Sequence, residues 1–158
     1  MRRLLTAIFL AAAPAAATAI AVAPVAQASE PTVDVRKTAT CGCCGAWVGH
    51  LKQSGLKVQY RNVSHGALAL YKKQQSIPPR LSSCHTAKVG GYVIEGHVPA
   101  REIKRLLREK PDAIGLTVPG MPVGSPGMED GTTRDAYEVL LIRKDGSTEV
   151  YARYPARK

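Results

Sequence analysis

Aromatic side chains are scarce in this 158-residue sequence, which has one Trp, one Phe and six Tyr. That scarcity leaves no stacked-ring pattern of the kind that binds single-stranded nucleic acid. Acidic residues are also few, 12 Asp and Glu against 22 Lys and Arg, for a formal charge of +10. Cysteine is limited to four, and methionine to three. The C-x-x-C at Cys41–Cys44 is followed by Gly45 rather than His, which excludes covalent haem attachment. The paired cysteine spacings of ordinary zinc modules are missing as well, and no internal repeat is visible.

What is present begins with an export signal. Arg2 and Arg3 form a basic start, Leu4 to Leu10 run into an alanine-rich apolar stretch, and Ala26-Gln27-Ala28 reads as a small-x-small cleavage site. Residues 1–28 are therefore expected to be a cleaved signal peptide, and residues 29–158 one exported domain. Alanine richness and the internal prolines Pro14 and Pro24 argue against a membrane anchor, so no stable membrane insertion is expected. Without Arg2 and Arg3, 20 basic residues face 12 acidic ones, a net of +8. Export argues against a nucleic-acid partner for that charge and favours a basic solvated surface.

Hydrophobic periodicity orders the elements. Thr32–Thr38 alternates as a strand, and a helix opens near Cys43 or Cys44, buries Cys44, Val48 and Leu51 on one face, and ends at Gly55. Leu56–Val63 is a second strand, and a short helix starts at Gly66 and stops before Ile77-Pro78-Pro79. "LSSCHTAKV" and "YVIEG" form a hairpin about Gly90-Gly91, and Pro99 opens a third helix that Pro111 closes. The order β-α-β-α-β-β-α is that of a thioredoxin-like α/β core. Ile114–Gly131 reads as a long Pro/Gly-rich loop without strand period, and a C-terminal β-hairpin turns at Asp145-Gly146.

The chemistry concentrates in Cys41-Gly42-Cys43-Cys44 at a strand-to-helix turn. Backbone N–H groups and the helix dipole favour thiolates there, as nucleophiles or as metal ligands. In an oxidising compartment four cysteines would ordinarily make two disulfides, but adjacent Cys43 and Cys44 strain most pairings, and only Cys41–Cys44 has a familiar spacing. Disulfide exchange needs two cysteines and a third invites scrambling, whereas a metal site gains from each sulfur. Metal binding is thus the favoured reading, with redox exchange and structural disulfides left open.

Cys84 supplies a fourth sulfur beside His85. Both are expected on the third strand, where alternation would turn them to opposite faces. His97 is a weaker candidate, and His50 and His65 read as ordinary helix and loop residues. Met121 and Met128, in the polar Pro/Gly loop, have little core to fill and are candidate thioether ligands for Cu(I).

"CGCCGAWVGHL", "LSSCHTAKVGGYVIEGHVPAREIKRLL" and "GLTVPGMPVGSPGME" together resemble the exported CopG-type metal-binding proteins of copper resistance, from about Val33 to Glu129. The resemblance implies a thioredoxin-like domain whose cysteine-rich turn binds copper in the periplasm, alongside other copper-handling proteins. It implies Cys41, Cys43, Cys44 and Cys84 as ligands, to which the side-chain chemistry of His85, Met121 and Met128 adds candidate auxiliaries. Four sulfurs suit a small, multinuclear Cu(I)–thiolate cluster better than one zinc ion. A thioredoxin-like thiol–disulfide or copper-linked oxidoreductase, with Cys41 attacking and Cys44 resolving, is the alternative.

Overall fold

The computed structural model describes residues 31–158, so the expected signal peptide lies outside the described residues. Strand β1 (Val33–Lys37) alternates buried and half-buried side chains, with Val33 and Val35 pointing into the core. Helix α1 (Gly42–Gln53) follows and buries Cys44, Trp47, Val48 and Leu51, the spacing of one helical face. Strand β2 (Val58–Asn62) returns parallel to β1, and α2 (His65–Gln74) is capped by the Ser64 hydroxyl, which accepts from Ala67 N. A 3₁₀ turn at Pro79–Leu81 leads into the hairpin of β3 (Thr86–Val89) and β4 (Tyr92–Glu95). Helix α3 (Ala100–Glu109) buries Ile103 and Leu106 and ends at Lys110 in a left-handed conformation. The expected β-α-β-α-β-β-α order is present.

Two expectations need correction. The loop expected across Ile114–Gly131 opens with a strand, β5 (Gly115–Thr117), which pairs parallel to β4. At three residues β5 is too short for alternation to register, and its neighbours on both sides cover it. Through β5 the C-terminal hairpin, β6 (Tyr137–Ile142) and β7 (Thr148–Tyr154), extends the core sheet. The result is one seven-stranded mixed sheet of order β2-β1-β3-β4-β5-β6-β7. Strand β3 also starts at Thr86 rather than Leu81, so Cys84 and His85 precede it.

The main core packs Val33, Val35, Trp47, Leu51, Ile94, Ile103, Leu106 and Leu116 between the sheet and the helices α1 and α3. Among the described residues no helix is long and apolar enough to cross a membrane.

Candidate metal centre

Cys41 is the N-cap of α1, and Cys43 and Cys44 occupy its first turn, where the amide groups lack intrahelical partners. Cys44 turns inward and is buried, while Cys41 and Cys43 are half-exposed. Cys41 and Cys44 are joined in a disulfide, and Cys43 and Cys84 are free. Cys43 Sγ lies 3.5 Å from Cys41 Sγ and 3.9 Å from Cys84 Sγ. The sulfurs of Cys41, Cys43, Cys44 and Cys84 all fall within 4.8 Å of one another. The distant fourth sulfur expected from the sequence therefore joins the turn.

The segment carrying Cys84 is fixed from below by a buried acid. Glu95 is fully buried on β4, accepts from Ser83 N at 2.6 Å and from the Thr86 hydroxyl at 2.6 Å, and is ion-paired with Lys72 of α2. Lys72 Nζ also donates to Thr86 Oγ1 at 2.8 Å. Burial raises the Glu95 carboxyl above its ordinary range against the opposing pull of Lys72. These bonds hold Ser83 and so aim Cys84 at the helix start. Sequence reasoning missed this pair; the available signal was an acid ending the apolar strand "YVIE".

Cys84 and His85 do not diverge as expected, because neither lies on the strand. Cys84 Sγ sits 3.4 Å from His85 Nδ1 and 3.0 Å from His97 Nε2. His97, ranked below His85 on sequence grounds, thus approaches the sulfur more closely. Its Nδ1 lies 2.8 Å from the Pro126 carbonyl, which can only accept, so the proton resides on Nδ1 and Nε2 presents a lone pair. His85 is fully buried, tilts over Trp47 with ring centroids 4.3 Å apart, and leaves Nε2 without a hydrogen-bond partner. Trp47 itself donates Nε1–H to Val98 O at 2.8 Å.

Burial sets the protonation of these groups. It pushes the Cys84 thiol up to about 12, with the Cys43 sulfur adding to the effect. It lowers His85 well below its ordinary value, with His97 and Lys72 contributing, and it lowers His97 too. Both imidazoles are neutral at pH 7. His50, half-buried in α1, accepts from Ala100 N at 3.1 Å and has a structural place at the start of α3. His65 lines a groove of about 440 Å³ beside Cys41, Lys72 and Cys84.

The Pro/Gly loop lies against this centre. Gly127 has φ +85°, and a Cβ there would stand 2.6 Å from both Cys43 O and Trp47 N, so glycine lets the loop lie on the first turn of α1. Pro126 accepts from His97 in the same segment, where Met128 N donates to Ser125 O and Gly124 N donates to Met128 O. Met128 is half-buried, whereas Met121 is 51% exposed farther back on the loop.

Two solved structures of the copper resistance protein CopG are similar to this chain. Form 1 is 42% identical with a TM-score of 0.76, the match covering 80% of this chain and 99% of that one. Form 2 is 43% identical with a TM-score of 0.75, covering 80% of this chain and 100% of that one. Residues 81–128 also match a family described as a protein of unknown function, DUF411. No curated protein matches.

Proposed function

The chain belongs to the CopG family of copper resistance proteins, and from that premise we propose that it binds copper as Cu(I) through Cys41, Cys43, Cys44 and Cys84. The observation that carries this reading is the convergence of four sulfurs within 4.8 Å at the start of α1. Thiolates are soft donors that select Cu(I), and the helix N-terminus favours their negative charge. Reduction of the Cys41–Cys44 disulfide frees all four sulfurs for a multinuclear thiolate site. His85, Met121 and Met128 are auxiliary donors in this reading. The signal-like residues 1–28 support export and a place in periplasmic copper resistance, beside other copper-handling proteins. The β2-β1-β3-β4 order and the helix start at the cysteines support a thioredoxin-like core.

Anaerobic Cu(I) titration of the reduced protein, with thiol counting, tests the proposal. More than one copper per chain with all four thiols protected is expected. A reduced protein that ignores Cu(I) overturns it. Sequencing the mature N-terminus after cell fractionation tests export, with Ser29 in the periplasmic fraction as the expected result.

The disulfide supports a second reading, thiol–disulfide exchange. Cys41 is half-exposed on the groove and Cys44 is buried, which suits attacking and resolving roles respectively. A partner dithiol would give two electrons and two protons to Cys41–Cys44 and leave as a disulfide.

A further inference from the structure

We propose that the groove along α2 docks an extended, acidic segment of a partner protein and guides it to the sulfurs at the start of α1. The groove of about 440 Å³ beside Cys41 and Cys84 adjoins a second of about 570 Å³, and the two share Ala69, Lys72 and Ser82. Together they form one trough from the 3₁₀ turn at Pro79–Leu81 to the cysteines. Leu68 and Ile77, both buried, give it an apolar floor, and exposed Lys73 stands at its rim.

Charge selects the occupant. From Arg36 to Ile94 the sequence holds nine Lys and Arg and no Asp or Glu. Every residue lining the trough comes from that stretch. The flanking acids are already engaged: Asp34 lies 3.8 Å from Arg36 and 3.6 Å from Arg61, and Glu95 is paired with Lys72. Among the described residues neither Lys73 nor Arg80, both exposed, is paired with a carboxylate. Carboxylates of a partner would complement this field, which also speeds encounter. A second copy would bring like charge to like, and a concave, apolar-floored trough suits an extended chain better than a membrane surface.

Ser76 points the same way on independent grounds. It has φ +58° just past α2, where Ser76 N donates to Lys73 O and Ile77 N donates to Lys72 O, each at 3.0 Å. Glycine is the usual residue at such a helix end, because a Cβ is strained there. Here the strained residue carries a hydroxyl and lines the trough, and strain of this kind gathers at ligand clamps. What a docked segment delivers to the sulfurs, copper or a dithiol, rests on the readings above. The docking itself is tested without either.

The test screens a bead-displayed library of random, cysteine-free peptides against the oxidised protein at physiological ionic strength. Enriched peptides are expected to be acidic and to shift the amide NMR signals of Ala69, Lys73, Ser76 and Ile77. K73E should weaken them by roughly tenfold or more, and Cu(I) uptake by reduced K73E should match the parent, so either reading can fail alone. S76G should raise the urea midpoint, since glycine relieves the strain, and yet bind the peptides less tightly. No enrichment, enrichment of neutral or basic peptides, or shifts confined to another face overturns the proposal. So do K73E and S76G proteins that both bind as tightly as the parent. Self-association of the chain through this face, or binding to phosphatidylglycerol vesicles in place of peptides, overturns it as well.

Discussion

Cys84 Sγ stands 3.0 Å from His97 Nε2 although thirteen residues separate them. The β3–β4 hairpin returns the chain to its starting end, and the turn after β4 places His97 beside the residue that precedes β3. Gly96 N donates to His85 O at 3.0 Å, which closes the hairpin at this end. Gly96 has φ +72°, and a Cβ there would lie 2.5 Å from Ser83 Cβ and 2.6 Å from Val118 O. Gly96→Ala is expected to destabilise the protein by at least roughly 1–3 kcal/mol from backbone strain alone. Urea unfolding measures the loss, and faster alkylation of Cys84 should accompany it. Unchanged stability would mean the turn adapts and does not define the Cys84–His97 approach.

The Lys72–Glu95 pair gives a second prediction. Glu95 is fully buried and Lys72 is 11% exposed, so solvent screens the pair little. Lys72→Met removes the cation that holds the Glu95 carboxyl down, and the folded-state pKa rises further. A raised carboxyl pKa means the fold binds the proton more tightly than the unfolded chain does. The penalty is therefore present above the folded pKa and relieved as pH falls through it. Destabilisation of about 3–5 kcal/mol is expected at pH 7, shrinking at pH 5. A loss independent of pH would assign the effect to packing of the lysine stem.

His85 titrates with the opposite consequence. Its folded pKa is held well below the ordinary 6.5, chiefly by burial. As pH falls below 6.5 the unfolded chain gains a proton that the fold refuses, so stability is lost over that interval. In metal-free protein, His85→Phe should keep the stacking on Trp47, remove the unpartnered nitrogen and flatten the stability curve below pH 6.5. The difference in slope should approach about 1.4 kcal/mol per pH unit, one proton. Comparing the variant with its parent cancels the contributions of His50, His97 and Glu95. Parallel curves would sink this account of His85.

The sequence made the helix start at the cysteines legible, because Cys44, Val48 and Leu51 share a face only if the helix begins there. It also made the fourth sulfur legible as a candidate. Besides the Lys72–Glu95 pair, three features escaped it for physical reasons. Period-2 alternation needs more residues than β5 has, so a central strand was hidden in "GLT". The divergence expected of Cys84 and His85 assumed a strand that begins five residues too early. His97 looked ordinary because its value lies in a lone pair fixed by Pro126, 29 residues on, and such a pairing leaves no local spacing.

Cys43 separates the two functional readings, because it has no part in the Cys41–Cys44 disulfide yet sits 3.5 Å from one end of it and 3.9 Å from Cys84. In the copper reading it bridges the turn to the fourth sulfur, so Cys43→Ser removes the central donor. Reduced C43S is expected to bind less Cu(I) per chain than its parent, read by anaerobic titration, with loss of the multinuclear stoichiometry. In the exchange reading the same variant keeps both active thiols and loses only a competitor, so disulfide turnover with a small dithiol should be unchanged or faster. Serine is close in size to cysteine and Cys43 is half-exposed, so the fold should tolerate the change and urea unfolding should match the parent. Full Cu(I) stoichiometry in C43S would show that three sulfurs suffice and would remove Cys43 from the copper site.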